Sequence, residues 1–464
     1  MKKRGIFSLL AVLIASLALV AAGCGGDDDE SSGGSTGGSG ASGGSVEALP
    51  SSSCTGIEYE GEGNPDALIV SDLPMQGSSR TQTVQMTKAI RYVLEQAEWK
   101  AGDLNIGYQV CDDATAQAGK WDSGKCNQNG RAYANNKSVI GVIGTYNSGC
   151  ALIIIPVLNQ APNGPVGMVS PANTYVCITE GTGCDESEPD KYYPTGKRNY
   201  IRVVPYDAYQ AAVDAQLSKD LGIKKVYVLN DKEAYGLGVA LLYRAAAQKL
   251  GIEVAGFSAW AKESASYESI MRRIKATGAD GIFLGGLIEE NGGQVIKDKV
   301  AVLGSNDDVK LIGPDGFAQQ ATIDDSGVEN ARGMYVTVAG APAEKLTGQG
   351  KTFVDEYRKF VKLPEGQPAD PYAAYAAQAA TVMLDAIEKS DGSRGDVAAK
   401  LFETKVTSGI LGSFDINKNG DVAQPKGGVV NYSIFKLGKV LETYQVAVPD
   451  NALVEYARTH VKSG

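Results

Sequence analysis

Histidine is almost absent from this sequence, whose 464 residues include only His460, close to the end of the chain. Ser-His-Asp and Cys-His catalysis and histidine-based zinc sites all need a histidine beside other functional side chains. No CxxC pair occurs, which argues against thiol redox chemistry and against a thiolate metal site. The sequence therefore predicts a protein that is not an enzyme and that has no metal site and no cofactor.

Clustered positive charge is also missing, because no basic cluster follows Arg4 and the net charge is −10. A nucleic-acid-binding protein needs a basic surface, so we expect no nucleic acid partner. The hydrophobic fraction of 43% and the charged fraction of 21% are typical of a soluble globular protein. The length is sufficient for two domains, each with a core of its own.

The first residues have the features of an export signal. Lys2, Lys3 and Arg4 precede an apolar run from Ile6 to Ala22, which predicts a signal peptide over residues 1–23. An uncleaved membrane anchor is the alternative, since the run has about the length of a short membrane span. The small residues before Cys24 resemble a bacterial lipobox and favour lipidation of Cys24. Two acyl chains anchor a protein stably, so we expect it on the outer face of the cytoplasmic membrane, at the cell surface or in the periplasm.

Residues 24–53 are rich in Gly and Ser and contain no apolar pattern, which predicts a flexible linker. Six cysteines follow this linker, and an even number in an exported protein predicts three disulfides. We expect Cys177 to pair with Cys184 first, and Cys111 with Cys126 second; the connectivity is otherwise open. The six cysteines are Cys54, Cys111, Cys126, Cys150, Cys177 and Cys184.

Predicted strands and helices alternate along the rest of the chain. Short β-branched runs predict strands, and apolar residues at helical spacing, as in Ser78–Trp99, predict helices between them. Such a series forms parallel sheets with right-handed crossovers. The predicted fold class is α/β, with two doubly wound lobes and a ligand cleft between them. The first predicted strands are Ala67–Ser71, Leu104–Val110, Val139–Ile143, Pro165–Val169, Tyr200–Val204 and Lys225–Leu229.

Two polar loops follow neighbouring predicted strands between Ser138 and Tyr175. Ser148 comes after Val139–Ile143 and opens a helix, while Thr174 comes after Pro165–Val169. Ligands of open α/β sheets bind at this edge, and the start of a helix favours an anion such as a carboxylate. The alternative is structural, with Ser148 as a helix cap and Ser-Pro-Ala-Asn as an ordinary turn.

Several stretches of the chain resemble the leucine/isoleucine/valine-binding branch of the type I periplasmic solute-binding proteins. The similarity extends from about Asp66 to Val440, and the stretches that carry it include VIGTYNSGCA, VSPANTY, YIRVVPYDAYQA, VLNDKEAYGLGVA, GPDGF, PYAAYAAQA and LGSFDINKNGDV. It implies two lobes joined by a three-segment hinge. The first lobe would contain residues 54–205 and 340–432, and the second residues 206–339 and 433–464.

The resemblance also implies a function and partners. A monomeric receptor would capture an amino acid or a related small polar solute. It would deliver that solute to the membrane permease and ATPase of an ABC importer. A sensor built on the same two lobes and a receptor for an amide or an aromatic acid are the alternatives. An exported enzyme would have to use Asp207 and Asp315 as a carboxylate pair, without a histidine or metal ligands.

The same resemblance assigns roles to individual residues. The Ser148 hydroxyl and the Thr174 N–H would bind the ligand carboxylate. The Thr174 hydroxyl, the Ala172 carbonyl and Asp315 would bind the ammonium group. A carboxylate and a helix start on opposite sides of a cleft suit a zwitterion by charge-assisted hydrogen bonding, although Asp315 also lies in turn-forming sequence. Further predicted contacts are Asn173, Asp207, Tyr235, Tyr375, Ser78, and Tyr146 as a stacking ring. Ser78 or Ser79 and Leu287 or Ile288 stand where the family commonly has aromatic residues, so the resemblance does not imply a side-chain preference.

One motif copies the first half of a calcium-binding loop. Asp415, Asn417, Asn419 and Asp421 have the spacing of an EF-hand loop, but Lys426 occupies the position of its bidentate Glu. We therefore expect a tight turn between two strands at this place.

Overall fold

The computed structural model describes residues 46–342, 345–365, 367–423 and 430–461. The signal peptide, Cys24, most of the predicted linker and Lys426 lie outside the described residues. Within the described ranges, no helix combines the length and the apolar character that crossing a bilayer requires.

Strands and helices alternate as the sequence predicts. The strands are β1 (Ala67–Leu73), β2 (Lys100–Ala101), β3 (Leu104–Asp112), β4 (Ala114–Thr115), β5 (Lys120–Trp121), β6 (Val139–Gly144), β7 (Gly167–Ser170), β8 (Tyr200–Arg202), β9 (Lys225–Asn230), β10 (Glu253–Ala259), β11 (Gly281–Gly285), β12 (Lys310–Gly313), β13 (Tyr335–Ala339), β14 (Lys405–Gly409), β15 (Gly412–Ile416), β16 (Val422–Ala423), β17 (Tyr432–Leu437) and β18 (Leu441–Ala447). The α-helices are α1 (Arg80–Gln96), α2 (Ser123–Asn135), α3 (Ser148–Asn159), α4 (Asp207–Asp220), α5 (Ala234–Lys249), α6 (Glu268–Thr277), α7 (Gly293–Leu303), α8 (Gln320–Ser326), α9 (Val328–Ala331), α10 (Gly348–Phe360), α11 (Pro371–Glu388), α12 (Arg394–Leu401) and α13 (Asn451–Thr459).

Two large sheets form the cores of two lobes. The first has the order β2-β3-β1-β6-β7-β8, and the second β10-β9-β11-β12-β13-β17-β18. From β3 to β8 and from β10 to β13 all neighbours are parallel, and both runs share the strand order 2-1-3-4-5 of a doubly wound sheet. The predicted α/β class with two doubly wound lobes is confirmed.

The parallel strands are buried on both faces, which explains their continuous apolar sequences. Every residue of β1 and β6 is buried, as expected for strands covered by helices on each side. The Ala-rich helix α11 is buried along almost its whole length. Its small side chains let it pack closely between α1 and the first sheet.

Sheet membership changes along the chain after β8, after β13 and after β16. The helices α10, α11 and α12 pack with α1 or the first sheet, and the small sheet β14-β15-β16 adjoins α10. The last helix, α13, packs against α4 and α5 of the second lobe. Each lobe is therefore assembled from segments that are distant in sequence.

The end of the predicted linker is packed against the first lobe. Leu49 is buried, and its backbone N–H donates to Gln109 Oε1 at 2.8 Å. The backbone carbonyl of Glu47 accepts a hydrogen bond from the Asn136 side chain at 2.8 Å. Residues 46–53 thus belong to the folded body, although their Ser-rich sequence contains only one large apolar residue after Val46.

All three disulfides lie in the first lobe. The prediction that Cys177 pairs with Cys184 is confirmed, whereas the pairing of Cys111 with Cys126 is wrong. Cys111 lies at the end of β3 beside the incoming chain and pairs with Cys54, while Cys126 lies on α2 and pairs with Cys150 on the adjacent α3. Sequence distance did not reveal these partners because both contacts depend on tertiary packing.

The calcium-like motif forms the expected tight turn. Asp415 and Ile416 on β15 pair with β16 in an antiparallel ladder. Asn417 Oδ1 accepts hydrogen bonds from the backbone N–H groups of Asn419 and Asp421, at 2.8 and 3.1 Å. The motif therefore shapes a turn through its own side chain.

Candidate functional site

The carboxyl ends of both parallel sheets border one cleft, where doubly wound folds bind ligands. The first lobe contributes the loops after β6 and β7 and the β4-β5 hairpin; the second contributes the loops after β9, β11 and β12. About 20 Å³ of the cleft admits the centre of a water molecule, which is room for one or two waters. In this arrangement the space is too small for a solute the size of an amino acid. The lining residues are Trp121, Tyr146, Asn147, Ser148, Gly149, Ala172, Thr174, Glu233, Tyr235, Leu287, Asp315, Gly316 and Tyr372.

The first-lobe wall contains the start of α3. Ser148 is the first residue of this helix and not its cap, which is Asn147 without a side-chain capping bond. The first N–H groups of a helix have no partner inside the helix and carry partial positive charge, so they favour an anion. The Thr174 hydroxyl borders the same space and is buried without a hydrogen-bond partner. This wall offers donors for an anion such as a carboxylate.

Buried side chains fix the loops of the first-lobe wall. The Asn173 amide donates to the backbone carbonyls of Thr145 and Tyr146, at 2.9 and 3.0 Å, and so joins the loops after β6 and β7. Arg202 on β8 donates to the carbonyls of Asn173 and Tyr175, at 3.1 and 2.9 Å. A buried ion pair with Asp421 at 2.7 Å holds Arg202 itself. Thr174 is therefore presented by a loop that is hydrogen-bonded on both sides.

The second-lobe wall is acidic. Asp315 begins a short turn after β12, and its Oδ1 accepts a hydrogen bond from the Tyr235 hydroxyl at 2.5 Å. Its Oδ2 accepts one from the Tyr372 hydroxyl, which belongs to α11 of the first lobe. Burial raises the pKa of Asp315, and these two hydroxyl groups partly oppose the rise. No Lys, Arg or His is found among the described lining residues, so the hydrogen-bond donors to Asp315 within this lining are neutral hydroxyl groups.

Asp231, at the end of β9, fixes the loops of the second-lobe wall. Its two carboxylate oxygens accept hydrogen bonds from the backbone N–H groups of Glu233 and Leu287, at 2.8 and 3.0 Å. Burial raises the pKa of Asp231 well above its usual range, and the N–H of Glu233 opposes that rise. One buried carboxylate thus positions the loops after β9 and β11.

Two consecutive glutamates of the second lobe contact the first lobe beside the cleft. Glu289 accepts hydrogen bonds from the Asn147 amide, at 2.7 Å, and from the Ser79 hydroxyl. Glu290 pairs with Lys120 of the first lobe. Burial raises the pKa of Glu289 to about 7. These contacts hold the walls together at one side of the cleft.

The structure brings six of the ten predicted ligand-contacting residues into this cleft. Ser148, Thr174 and Asp315, on which the predicted zwitterion site depends, lie around the same space. Tyr146 faces Tyr372 edge-on with ring centroids 5.9 Å apart. The six predicted residues that line the cleft are Ser148, Ala172, Thr174, Tyr146, Tyr235 and Asp315.

Four predicted residues lie elsewhere. Ser78 donates to Asp325 of the second lobe at 2.8 Å and so belongs to a contact between the lobes. Tyr375 borders a separate cavity of about 570 Å³. Asn173 lies behind the wall, in the hydrogen bonds described above.

Asp207, the fourth of these residues, is the first residue of α4. It is fully buried, and its backbone N–H donates to the Thr174 carbonyl at 2.9 Å. Neither of its carboxylate oxygens has a hydrogen-bond partner in the described structure. Burial raises the pKa of Asp207 well above its usual range, and the carboxylate of Asp315 adds to the rise.

Sequence reasoning missed several lining residues. Tyr372 lies one helical turn before the predicted Tyr375, and only the rotation of α11 decides which ring enters the cleft. Glu233 lies in the loop that follows β9, three residues after the strand ends at Asn230, and this position could have revealed it. Trp121 belongs to the short β4-β5 hairpin, which no periodic pattern indicates. Asn147 also lines the cleft and was missed, although it immediately precedes the predicted Ser148.

The described residues contain two groups of side chains close enough to share a metal ion. One consists of Asp113, Cys126 and Cys150, and the other of Cys177, Cys184 and Glu188. Both include a disulfide, whose sulfurs are not thiolates and are poor metal ligands. Neither group borders the cleft.

The chain is similar to known proteins over most of its length. Residues 73–430 match the model of the family described as periplasmic binding protein. An amino acid binding protein of Pseudomonas aeruginosa is 24% identical over 285 residues, which are 61% of this chain and 69% of that protein.

Solved structures share the fold. A leucine binding protein from Thermotoga maritima has a TM-score of 0.68 and 21% identity, covering 83% of this chain and 99% of that one. A solute binding protein of R. palustris in complex with benzoate has a TM-score of 0.65 and 16% identity, covering 83% of this chain and 98% of that one.

Proposed function

Because the chain belongs to the periplasmic binding protein family, whose members are solute receptors outside the cytoplasm and not enzymes, we propose that it is the lipid-anchored substrate-binding component of an ABC importer. It captures an amino acid or a related small zwitterion in the cleft between its lobes. The closed complex then delivers the solute to a membrane permease driven by an ATPase.

One observation carries this proposal: the two walls of the cleft carry complementary groups. The start of α3 and the Thr174 hydroxyl offer donors on the first lobe, while Asp315 offers a carboxylate on the second. A ligand carboxylate at the first wall and a ligand ammonium at the second would use both groups by charge-assisted hydrogen bonds. A zwitterion would therefore stabilise the closed arrangement of the lobes.

Closure requires the lobes to move about the segments after β8, β13 and β16. We assign residues 54–205 and 340–432 to the first moving body, and residues 206–339 and 433–464 to the second. The narrow space in the present arrangement supports such a motion, since a solute cannot enter without it. Hinge closure around a ligand also gives a permease a shape by which to distinguish loaded from empty receptor.

Calorimetric titration of the full-length protein in mild detergent tests the ligand class. Twenty amino acids are compared with their decarboxylated and deaminated analogues. We expect at least one amino acid to bind, and both of its analogues to bind at least 100-fold more weakly, because each leaves one wall unpaired. Benzoate belongs in the same panel. If benzoate binds and no amino acid binds, the ligand class is an aromatic acid and not a zwitterion.

The anchor on Cys24 is tested separately, because it lies outside the described residues. Radiolabelled palmitate should label the wild-type protein in cells, and the Cys24→Ala variant should be unlabelled and absent from the washed membrane fraction. The Cys184→Ala variant is the matched control and should remain labelled. Equal labelling of the wild type and the Cys24→Ala variant would contradict lipidation at this residue.

A further inference from the structure

The cleft has a third group of lining residues beyond its anion and cation ends. Trp121, Asn147, Gly149 and Glu233 form this group, which we call the distal subsite. A side chain built at Gly149 would meet the Trp121 ring at 2.6 Å and Glu233 Oε2 at 3.4 Å, so these three residues are in close contact. If the two ends hold an ammonium and a carboxylate, the distal subsite is one of the surfaces left for the remaining part of the ligand.

The distal subsite combines the Trp121 ring with an amide and a carboxylate, and it has no aliphatic side chain. Among all described lining residues, only Ala172 and Leu287 have aliphatic side chains, and neither belongs to this group. Leu287 instead lies beside Gly316 at the cation end, with Cδ2 2.9 Å from where a Gly316 side chain would begin. Leucine, isoleucine or valine would place its branched side chain against an amide and a carboxylate, which would lose water without gaining a partner.

Asn147 presents an unused acceptor. Its amide nitrogen donates to Glu289 Oε1 at 2.7 Å, which leaves the amide oxygen without a hydrogen-bond partner in the described structure. The residue is only 3% exposed, so water does not readily satisfy this oxygen. A buried acceptor without a partner is costly, and a ligand N–H group would remove that cost.

Glu233 supplies a second acceptor beside it. One carboxylate oxygen pairs with Lys262, while the other points to the side of the distal subsite formed by Gly149. Lys262 also lies 3.5 Å from Glu290, but Lys120 is the nearer partner of that carboxylate. Lys262 thus engages one oxygen of Glu233, and the other oxygen remains an acceptor on the side of Gly149.

We propose that the distal subsite selects an amino acid whose side chain carries N–H donors, an amide, guanidinium or ammonium group, and that Asn147 and Glu233 are the residues that select it. This inference rests on the proposed function, because it assigns the side chain of the same zwitterionic ligand. It departs from the branched aliphatic ligands named for several similar proteins.

Matched ligand pairs test the inference on the unaltered protein. Glutamine and glutamate have the same shape, but only glutamine has side-chain N–H donors at neutral pH; lysine and norleucine differ in the terminal ammonium group. Calorimetry on the full-length protein should show, for at least one pair, that the donor-bearing member binds at least tenfold more tightly than its partner and than leucine. This ratio is measured within one protein and does not depend on the stability of any variant.

Two variants then test the residues. Glu233→Gln and Asn147→Ala should each reduce the preference for the donor-bearing ligand over its partner at least fivefold. Glu253→Gln, on the exposed surface of the second lobe, should leave this preference unchanged. Tighter binding of leucine or norleucine would overturn the inference and leave the proposed function intact. A preference unaffected by both variants would overturn the assignment of these residues. Absence of binding by every amino acid would overturn the proposed function and this inference with it.

Discussion

The two walls of the cleft are built on sheets with the same strand order, yet their chemistry differs. The wall of the first lobe is neutral and offers a helix start, a hydroxyl and an amide from Ser148, Thr174 and Asn147. The wall of the second lobe offers the carboxylates of Asp315 and Glu233. The difference shows that the common scaffold determines where a ligand binds, while the loops after its strands determine which charge each wall receives.

The walls also differ in how their loops are held. The three disulfides and the buried Arg202 stabilise the first lobe, whereas every cysteine after Cys24 lies before residue 185, so the second lobe has no disulfide. The loops after β9 and β11 are held instead by hydrogen bonds to Asp231. We therefore regard the first wall as the covalently reinforced side of the cleft and the second as the charged side.

The largest expected effect comes from removing the charge of the second wall. Asp315→Asn retains the shape of the side chain but removes the partner proposed for the ligand ammonium. Loss of one member of a buried charge pair costs about 2–5 kcal/mol, so calorimetry should show amino acid binding weakened by a factor of roughly 30 to 5,000. Binding within threefold of the wild type would show that this wall does not hold the ammonium group.

A smaller effect is expected from removing a covalent link of the first wall. The disulfide Cys126–Cys150 closes a segment of 24 residues, and the Cys126→Ala/Cys150→Ala variant should lose about 3 kcal/mol of unfolding free energy. The control pair Cys177–Cys184 closes only 7 residues and should cost about 2 kcal/mol.

Hydrogen exchange locates the effect of the disulfide. In the Cys126→Ala/Cys150→Ala variant, amides of α2 and α3 should exchange faster than in the wild type, while amides of β11 in the second lobe should be unchanged. If the variant exchanged faster than the wild type in β11 but not in α2, the view that the disulfides reinforce one wall only would be contradicted.

The contact made by Glu289 should make stability depend on pH. Burial raises the pKa of Glu289 from 4.5 to about 7, so between these values the folded protein binds a proton that the unfolded chain releases. The stability from this group is therefore present at low pH and is lost as pH rises through 7. At pH 8, Glu289→Gln should increase the unfolding free energy by about 1–2 kcal/mol, with less gain at pH 5. Denaturant unfolding measures this change in unfolding free energy, with the exposed Glu253→Gln variant as control. A gain that is equal at pH 5 and pH 8 would contradict the assignment of the pH dependence to Glu289.

The smallest effect concerns the hydroxyl groups on Asp315. Tyr372 reaches Asp315 from the opposite lobe, whereas Tyr235 lies in the same lobe as Asp315. Tyr372→Phe should shift the unliganded protein toward an open form by about 1 kcal/mol, roughly a fivefold change in population. Small-angle scattering should detect a larger radius of gyration for this variant but not for Tyr235→Phe. Equal radii for both variants would show that the Tyr372 hydrogen bond does not hold the lobes together.

The sequence by itself determined the elements and the edge of each sheet that carries the site. Short apolar runs revealed β1 and β6, and apolar residues at helical spacing revealed α1, because a buried strand and a packed helix impose their own patterns on apolar residues. Since ligands of parallel sheets bind at the loops that follow the strands, the positions of Ser148 and Thr174 could be derived from local sequence, whereas Asp315 was identified through the family resemblance. The short β4-β5 hairpin carries too few residues for such a pattern, and Trp121 was missed for that reason.

Only the tertiary structure decided which side chains meet. The rotation of α11 placed Tyr372 in the cleft and Tyr375 in another cavity, although both lie on the same helix. The packing of α2 on α3 chose Cys150 as the partner of Cys126, and the approach of the second lobe brought Glu289 to Asn147. These contacts join residues far apart in the chain, so no local spacing encodes them; they follow from how whole elements pack against one another.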